Sequence, residues 1–175
     1  MLTVTCKRLR IKHRGILGIE KRDSMKISTK ARYGLRALVD LAVHSGGEQV
    51  ALIHIAKRQD LSVNYLEQVF SLLKKEHIVK SVKGSQGGYM LTKNPKETTV
   101  GDIIRAIEGE ILIVDAEEQT DTTSLILRNM QQCLYENVWN KITLSICEAM
   151  DNITLEDLMK DYQLIHIETN LMYYI

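Results

Sequence analysis

The apolar positions divide this chain into segments of different period. From Ser28 to Lys75 apolar residues return every three or four positions, the spacing that gathers them on one face of a helix. Ser28 or Thr29 can cap a first helix. Tyr33, Leu35, Leu38, Val39, Leu41, Ala42 and Val43 give it a broad apolar face, and Gly46-Gly47 ends it. A second helix is predicted over about 51–58, with Leu52, Ile55 and Ala56 turned inward. Gln59-Asp60-Leu61 makes a turn. Ser62 then caps a third helix whose Val63, Leu66, Val69, Phe70 and Leu73 share one side. Three residues after Ser62 stands Tyr65 rather than an acid, so a full capping box is not expected there.

The period then shortens to two. Ile78-Val79-Lys80-Ser81-Val82 alternates, Gly84-Ser85-Gln86-Gly87-Gly88 forms a flexible tip, and Tyr89-Met90-Leu91-Thr92 returns as the second arm of a β-hairpin. Pro95 closes the unit, and a short helix, TTVGDIIRAIEGE, ends at Gly109. Residues 110–122 read as an acidic connector. A long helix is predicted over about 123–150, with Leu127, Met130, Leu134, Val138, Ile142 and Ile146 stepping along one stripe. Alone, that stripe would face water; the same helix of a second copy is the simplest cover, and the chain's own first domain is the alternative. Asp151-Asn152 breaks the helix, and Thr154-Leu155-Glu156-Asp157 caps one or two further turns. The last stretch, LIHIETNLMYYI, is apolar and stays open between a strand and a packed tail.

These elements define a mainly α protein with a small β-hairpin wing: a winged helix-turn-helix plus a long dimerisation helix. The expected division is 1–24 as an extension, 25–109 as the winged domain, 110–122 as the connector, 123–163 as the dimerisation helices and 164–175 as a tail. Residues 1–24 show no sustained period, whereas Met25 opens a stretch that reads as a natural start. Lys21-Arg22 is compatible with AAG-AGG, a purine-rich ribosome-binding sequence. The expectation is therefore that 1–24 is non-native or disordered, the rival being a basic arm on DNA phosphates.

Charge sharpens this picture. The net value of +1 hides a basic front and an acidic back: residues 1–24 carry seven Lys+Arg against two acids, residues 25–98 twelve against six, and residues 99–175 four against fourteen. Such asymmetry points the front toward a polyanion. The cysteines, Cys6, Cys133 and Cys147, are odd in number and widely spaced, which is no disulfide framework and fits a reducing cytoplasm. No apolar run approaches the roughly 20 residues of a membrane span.

A helix-turn-helix followed by a glycine-tipped hairpin can place its second helix in the major groove of DNA. That helix turns Ser62, Asn64, Tyr65, Glu67, Gln68 and Ser71 outward. Asn64 and Gln68 suit adenine edges. Glu67 can accept from the cytosine amino group and would repel phosphates elsewhere, which favours discrimination over affinity. Lys30, Arg32, Lys74 and Lys75 suit phosphates. The wing, Lys83, Gly84, Ser85, Gln86 and Gly87, can approach the minor groove closely because of its glycines. No nucleophile elbow, phosphate loop or zinc-protease motif is present, and His44, His54, His77 and His166 are scattered, so no enzyme is expected.

Together, MKISTKARYGLRALVDLA, the Ile55-Ala56 to Gln59 spacing, SVNYLEQVFSLLKK, VKGSQGGYML and GDIIRAIEGE resemble the Rrf2 family of bacterial transcription regulators, strongly over 25–110 and more loosely over 123–163. The resemblance implies a homodimer that binds double-stranded DNA through Ser62, Asn64, Tyr65, Glu67, Gln68 and the wing at 83–88. Where the family has a wing arginine this chain has Lys83, which lacks the bidentate fork. Cluster-binding members are similar to one another in three closely spaced cysteines; this chain has only Cys133, before Trp139, in that region. Cys147 lies fourteen residues further on, roughly 21 Å along a helix. No iron–sulfur cluster or metal is therefore expected, Cys133 being the one candidate ligand. The cluster-less members, and the TLEDL run at 154–158, imply a repressor of cysteine and sulfur metabolism genes, controlled by a partner such as cysteine synthase or by thiol oxidation. The alternatives are an iron–sulfur or redox sensor of the same family and a protein-interaction module that no longer reads DNA.

Overall fold

Residues 27–84, 87–114 and 124–172 are described by a computed structural model, residues 167–172 as backbone alone. The first helix, α1 (Thr29–Ser45), is capped by the Ser28 hydroxyl, which accepts from the Ala31 amide at 3.2 Å, and it ends at Gly46 in the left-handed conformation. Its buried stripe runs through Ala31, Gly34, Ala37, Leu38, Leu41 and Ala42. Tyr33, Leu35, Val39 and Val43, expected on that face, are only half-buried. In α2 (Leu52–Gln59) the buried residues are Leu52, Ile55 and Ala56, the three read from periodicity. Asp60 takes the left-handed turn at φ 53° and its N–H donates to the Ala56 carbonyl. Then α3 (Val63–Lys75) buries Leu66, Val69, Phe70 and Leu73, and leaves Val63 half-buried.

The hairpin is β1 (Val79–Val82) paired antiparallel with β2 (Gly88–Leu91), Val79 opposite Leu91 and Val82 opposite Gly88. The Tyr89 ring meets Phe70 edge-on at 5.0 Å, which seats the wing on α3. A third segment joins the sheet: Val50 donates to the Tyr89 carbonyl at 2.8 Å and accepts from the Tyr89 amide at 2.9 Å. This approach explains Gly88, where a Cβ would run into the Val50 carbonyl.

A short 3-10 turn (Pro95–Glu97) leads to α4 (Val100–Glu108). Thr99 and Asp102 form a reciprocal capping box at its start, each side chain accepting from the other's backbone N–H at 3.1 Å. Burial pushes the Asp102 carboxyl up, but hydrogen bonds from Thr99 and from Arg105 bring it below its ordinary value. Against α1, α4 packs closely enough that a side chain at Gly34 would collide with Ile107 and Val69.

The predicted long helix is α5 (Leu125–Leu134), a π-turn (Tyr135–Trp139) and α6 (Asn140–Asp151), continuous in sequence. The final element, α7 (Leu155–Met172), is far longer than one or two turns and takes in most of the stretch left open between strand and tail. Thr154 and Asp157 cap it reciprocally. Leu155 is wholly buried in the core of the winged domain, while Leu158 and Met159 are half-buried beside it. The anchor is a backbone bridge in which Val100 donates to the Ile153 carbonyl at 2.9 Å and Leu155 donates to the Thr98 carbonyl at 2.8 Å. Among the described residues no helix is long and apolar enough to cross a membrane.

Candidate nucleic-acid interface

On α3, Asn64, Glu67, Gln68 and Ser71 lie exposed on the side opposite Leu66, Val69, Phe70 and Leu73. The helical period forces this: each apolar residue that enters the core turns its polar neighbours to solvent. Ser62 is also exposed, but its hydroxyl oxygen is engaged as the cap, accepting from the Tyr65 amide at 3.2 Å. Tyr65 is half-buried, its ring edge-on to Tyr33 at 6.0 Å. Burial, together with the neighbouring Tyr33 and Glu108, raises the Tyr65 phenol above its ordinary value.

Cationic groups surround this face. Lys30 is half-buried and Arg32 exposed in the first turn of α1, where Arg32 donates to the Thr29 hydroxyl at 3.0 Å. Lys74, at the end of α3, donates to the Ser81 hydroxyl on β1 at 2.8 Å and so links helix to wing. Lys75, Lys80 and Lys83 are exposed. Gly84 sits at φ 133°, a conformation that favours glycine, and its carbonyl accepts from the Gly87 amide at 3.0 Å to close the wing turn. Ser85 and Gln86 lie outside the described residues, as do 1–26 with Cys6 and 115–123 of the connector.

Sequence reasoning missed the polar groups that join α1 to α2, the first helix of the helix-turn-helix. Asp40 of α1 is 4% exposed. Its carboxylate accepts from Arg58 Nε at 3.0 Å on each oxygen, from Arg58 Nη2 at 2.5 Å, and from Gln59 Nε2 at 2.8 Å. The hydrogen bond to Asp40 raises the Arg58 pKa against the opposing effect of burial. Arg36, also on α1, donates from Nη2 to the Gln59 carbonyl at 2.8 Å and from Nε and Nη2 to its side-chain oxygen at 3.3 and 3.2 Å. The one available signal was a carboxylate set within a stripe of buried residues, since a buried charge requires a partner.

The proposed dimer stripe is largely uncovered in the protomer. Leu127 and Met130 are 53% and 57% exposed, Leu134 and Ile142 are exposed, and Val138 and Ile146 are half-buried. The C-terminal end of the long helix is secured to the winged domain: Arg105 of α4 pairs with Asp151 at 2.6 Å and with Asp102 at 3.2 Å. Ile146 and Met150 line an apolar cavity with Ile104, Ile111, Leu112 and Ile113. Cys133 is exposed and Cys147 half-buried, both as free thiols. Among the described residues no three His, Cys, Asp or Glu side chains are grouped to hold a metal ion.

Comparison with known proteins identifies the family. A family model described as Rrf2, iron-dependent transcriptional regulator, matches residues 27–161. The regulator IscR of Pectobacterium atrosepticum is 36% identical over 143 residues, spanning 82% of this chain and 84% of that protein. CymR of Bacillus subtilis is 40% identical over 134 residues, spanning 77% and 89%. The solved structure of B. subtilis CymR, the global cysteine regulator, matches with a TM-score of 0.62 at 38% identity, over 78% of this chain and 98% of that one. The structure of T. potens IscR matches with a TM-score of 0.60 at 42% identity, over 79% and 88%. These relatives are DNA-binding regulators and not enzymes, and with 135 consecutive positions under one family model the chain belongs to the Rrf2 family of transcriptional regulators.

Proposed function

We propose that the protein is a homodimeric repressor of cysteine and sulfur metabolism genes, reading a two-fold operator with a pair of α3 helices and their wings. The observation that carries the assignment within the family is the placement of the cysteines. Cys133 and Cys147 stand fourteen residues apart on one continuous helix, roughly 21 Å along its axis, so they cannot ligate one cluster within a protomer. The described residues supply no other thiolate, and a cluster needs about four ligands. The likeness to a global cysteine regulator supports the same reading.

On DNA, Asn64, Glu67 and Gln68 face base edges, Lys30, Arg32 and Lys74 meet phosphates, and Lys83 with Gly84–Gly87 follows the minor groove. Leu127, Met130, Leu134, Val138, Ile142 and Ile146 meet the same stripe of the second copy, so the long helix sets the spacing of the two half-sites. The test is fluorescence anisotropy on a duplex from upstream of the host's sulfur-assimilation operon, with and without cysteine synthase. Tight, salt-dependent binding strengthened by the enzyme supports the assignment. Binding only to the protein's own promoter would remove it.

A second reading, an iron–sulfur or redox sensor, draws on the iron-dependent description of the family and on the exposure of Cys133. It requires non-cysteine ligands, such as the acids of the connector. Iron and acid-labile sulfide in anaerobically purified protein would favour it; a colourless, iron-free preparation would count against it.

A further inference from the structure

We infer that Arg36 is a positioning residue for sequence discrimination, a clasp across the helix-turn-helix that sets the angle of α3 without reading a base. This rests on the DNA-reading function proposed above. The turn between the two helices is short: Gln59 ends α2, Asp60 takes the left-handed conformation, and Ser62 already caps α3. The Asp60 and Leu61 amides both donate to the Ala56 carbonyl, and the left-handed, non-glycine Asp60 is held in place by what surrounds it.

Arg36 bears on both sides of that turn, directly on the α2 side and through Tyr33 on the α3 side. On the α2 side its guanidinium donates to the Gln59 backbone carbonyl at 2.8 Å and to the Gln59 side-chain oxygen at 3.2 Å. That carbonyl is one of the last four in α2, which have no partner inside the helix, and a cation there also complements the helix dipole. Gln59 in turn donates to the buried Asp40, so its side chain is held from two directions. On the α3 side, the guanidinium lies 5.4 Å over the Tyr33 ring, and Tyr33 meets Tyr65 in the first turn of α3 edge-on at 6.0 Å. One cation on α1 thereby fixes the residue before the turn and, through Tyr33, the residue at the base-facing end of the recognition helix. The planar fork performs both tasks at once; a lysine would offer a point charge without the bidentate grip.

An exposed arginine beside a DNA-facing helix has a rival role as a phosphate contact, and the two roles differ in what they do to discrimination and to salt dependence. Anisotropy titrations across a KCl series would compare wild type, Arg36→Gln and Arg36→Lys. The two duplexes are one selected by the wild-type protein from a random pool and a scrambled duplex of equal length. The expected result is a roughly 2- to 30-fold loss of affinity for the selected duplex, little change on the scrambled one, and an unchanged salt slope, with Arg36→Lys failing to rescue. Gln59→Ala removes the side-chain acceptor and keeps the backbone carbonyl, so it should give a smaller loss of the same kind, and the losses of Arg36→Gln and Gln59→Ala should combine less than additively.

Equal losses on both duplexes, with a salt slope reduced by about 0.9, would make Arg36 a phosphate contact and overturn the inference. So would additive losses for Arg36→Gln and Gln59→Ala, or no change at all. If wild type selects no sequence, the DNA-reading premise itself fails, and that outcome is separate from any effect of the variants.

Discussion

The pairing of Asp40 with Arg58 offers a sharp test of how α2 is held on α1. The Asp40 side chain is 1% exposed and accepts hydrogen bonds from Arg58 and Gln59. Arg58→Met keeps the aliphatic stem and removes the guanidinium. The buried carboxylate is left with the Gln59 amide and, at 3.7 Å, the His44 ring. Removing one member of a fully buried pair costs about 3–5 kcal/mol, because the other charge is stranded. The Arg58 side chain is 34% exposed, so water already screens part of the interaction, and the expected loss is about 2 kcal/mol. For a chain of this size that lowers Tm by about 4–8 °C. Urea titration followed by far-ultraviolet circular dichroism measures it. Asp40→Leu combined with Arg58→Met replaces both charges by apolar groups and should return to within about 1 kcal/mol of wild type. If Arg58→Met alone lies within about 0.5 kcal/mol of wild type, or the double variant is no better than the single one, the ion pair is a passenger. Leu52, Ile55 and Ala56 would then hold α2 by packing alone.

Further outcomes follow from the interface and the core. Gln68→Ala should change which duplexes are preferred, whereas Lys74→Ala should weaken all duplexes alike; competitive anisotropy on a panel of duplexes separates the two, and uniform losses for Gln68→Ala would contradict its place on the base-facing side. Leu134→Glu puts a charge in the exposed stripe and, if the proposed dimer forms through it, should convert dimer to monomer in sedimentation velocity with the helical content kept. Gly34→Val forces methyls into Ile107 and Val69 and should cost about 1–3 kcal/mol in urea titration. The hydrogen bonds that depress Asp102 stabilise its charged form, so its contribution is fully present above the ordinary carboxylate pKa and disappears as pH falls through the depressed value. Asp102→Asn should therefore be less stable than wild type at neutral pH, with the gap closing in acid.

Local pattern was enough wherever a residue's fate depends on its near neighbours. The buried set of α2, the cap at Ser62 and the outward row Asn64, Glu67 and Gln68 follow from the helix period, and the two arms of the wing from a glycine-rich tip between short apolar runs, although burial in β1 and β2 does not alternate. The long helix was legible for the same reason, and so was the exposure of its stripe. The π-turn after Cys133 was not, because no residue type there demands one.

What the sequence determined alone was the list of elements, their order and which faces are apolar, since these are fixed by spacing along the chain. What only the tertiary structure decided was which distant residues meet. Val50 joins the wing through Tyr89, and Leu155, from the far end of the chain, fills the core beneath α4. The start of α7 packs against α1, a contact that its weak apolar periodicity does not announce, and residues 161–166 run on exposed. Asp40, Arg58, Gln59 and Arg36 form one polar network between α1 and α2. These contacts are absent from any local window because the free energy that makes them, burial of apolar surface and pairing of buried charge, appears only once separate elements have come together.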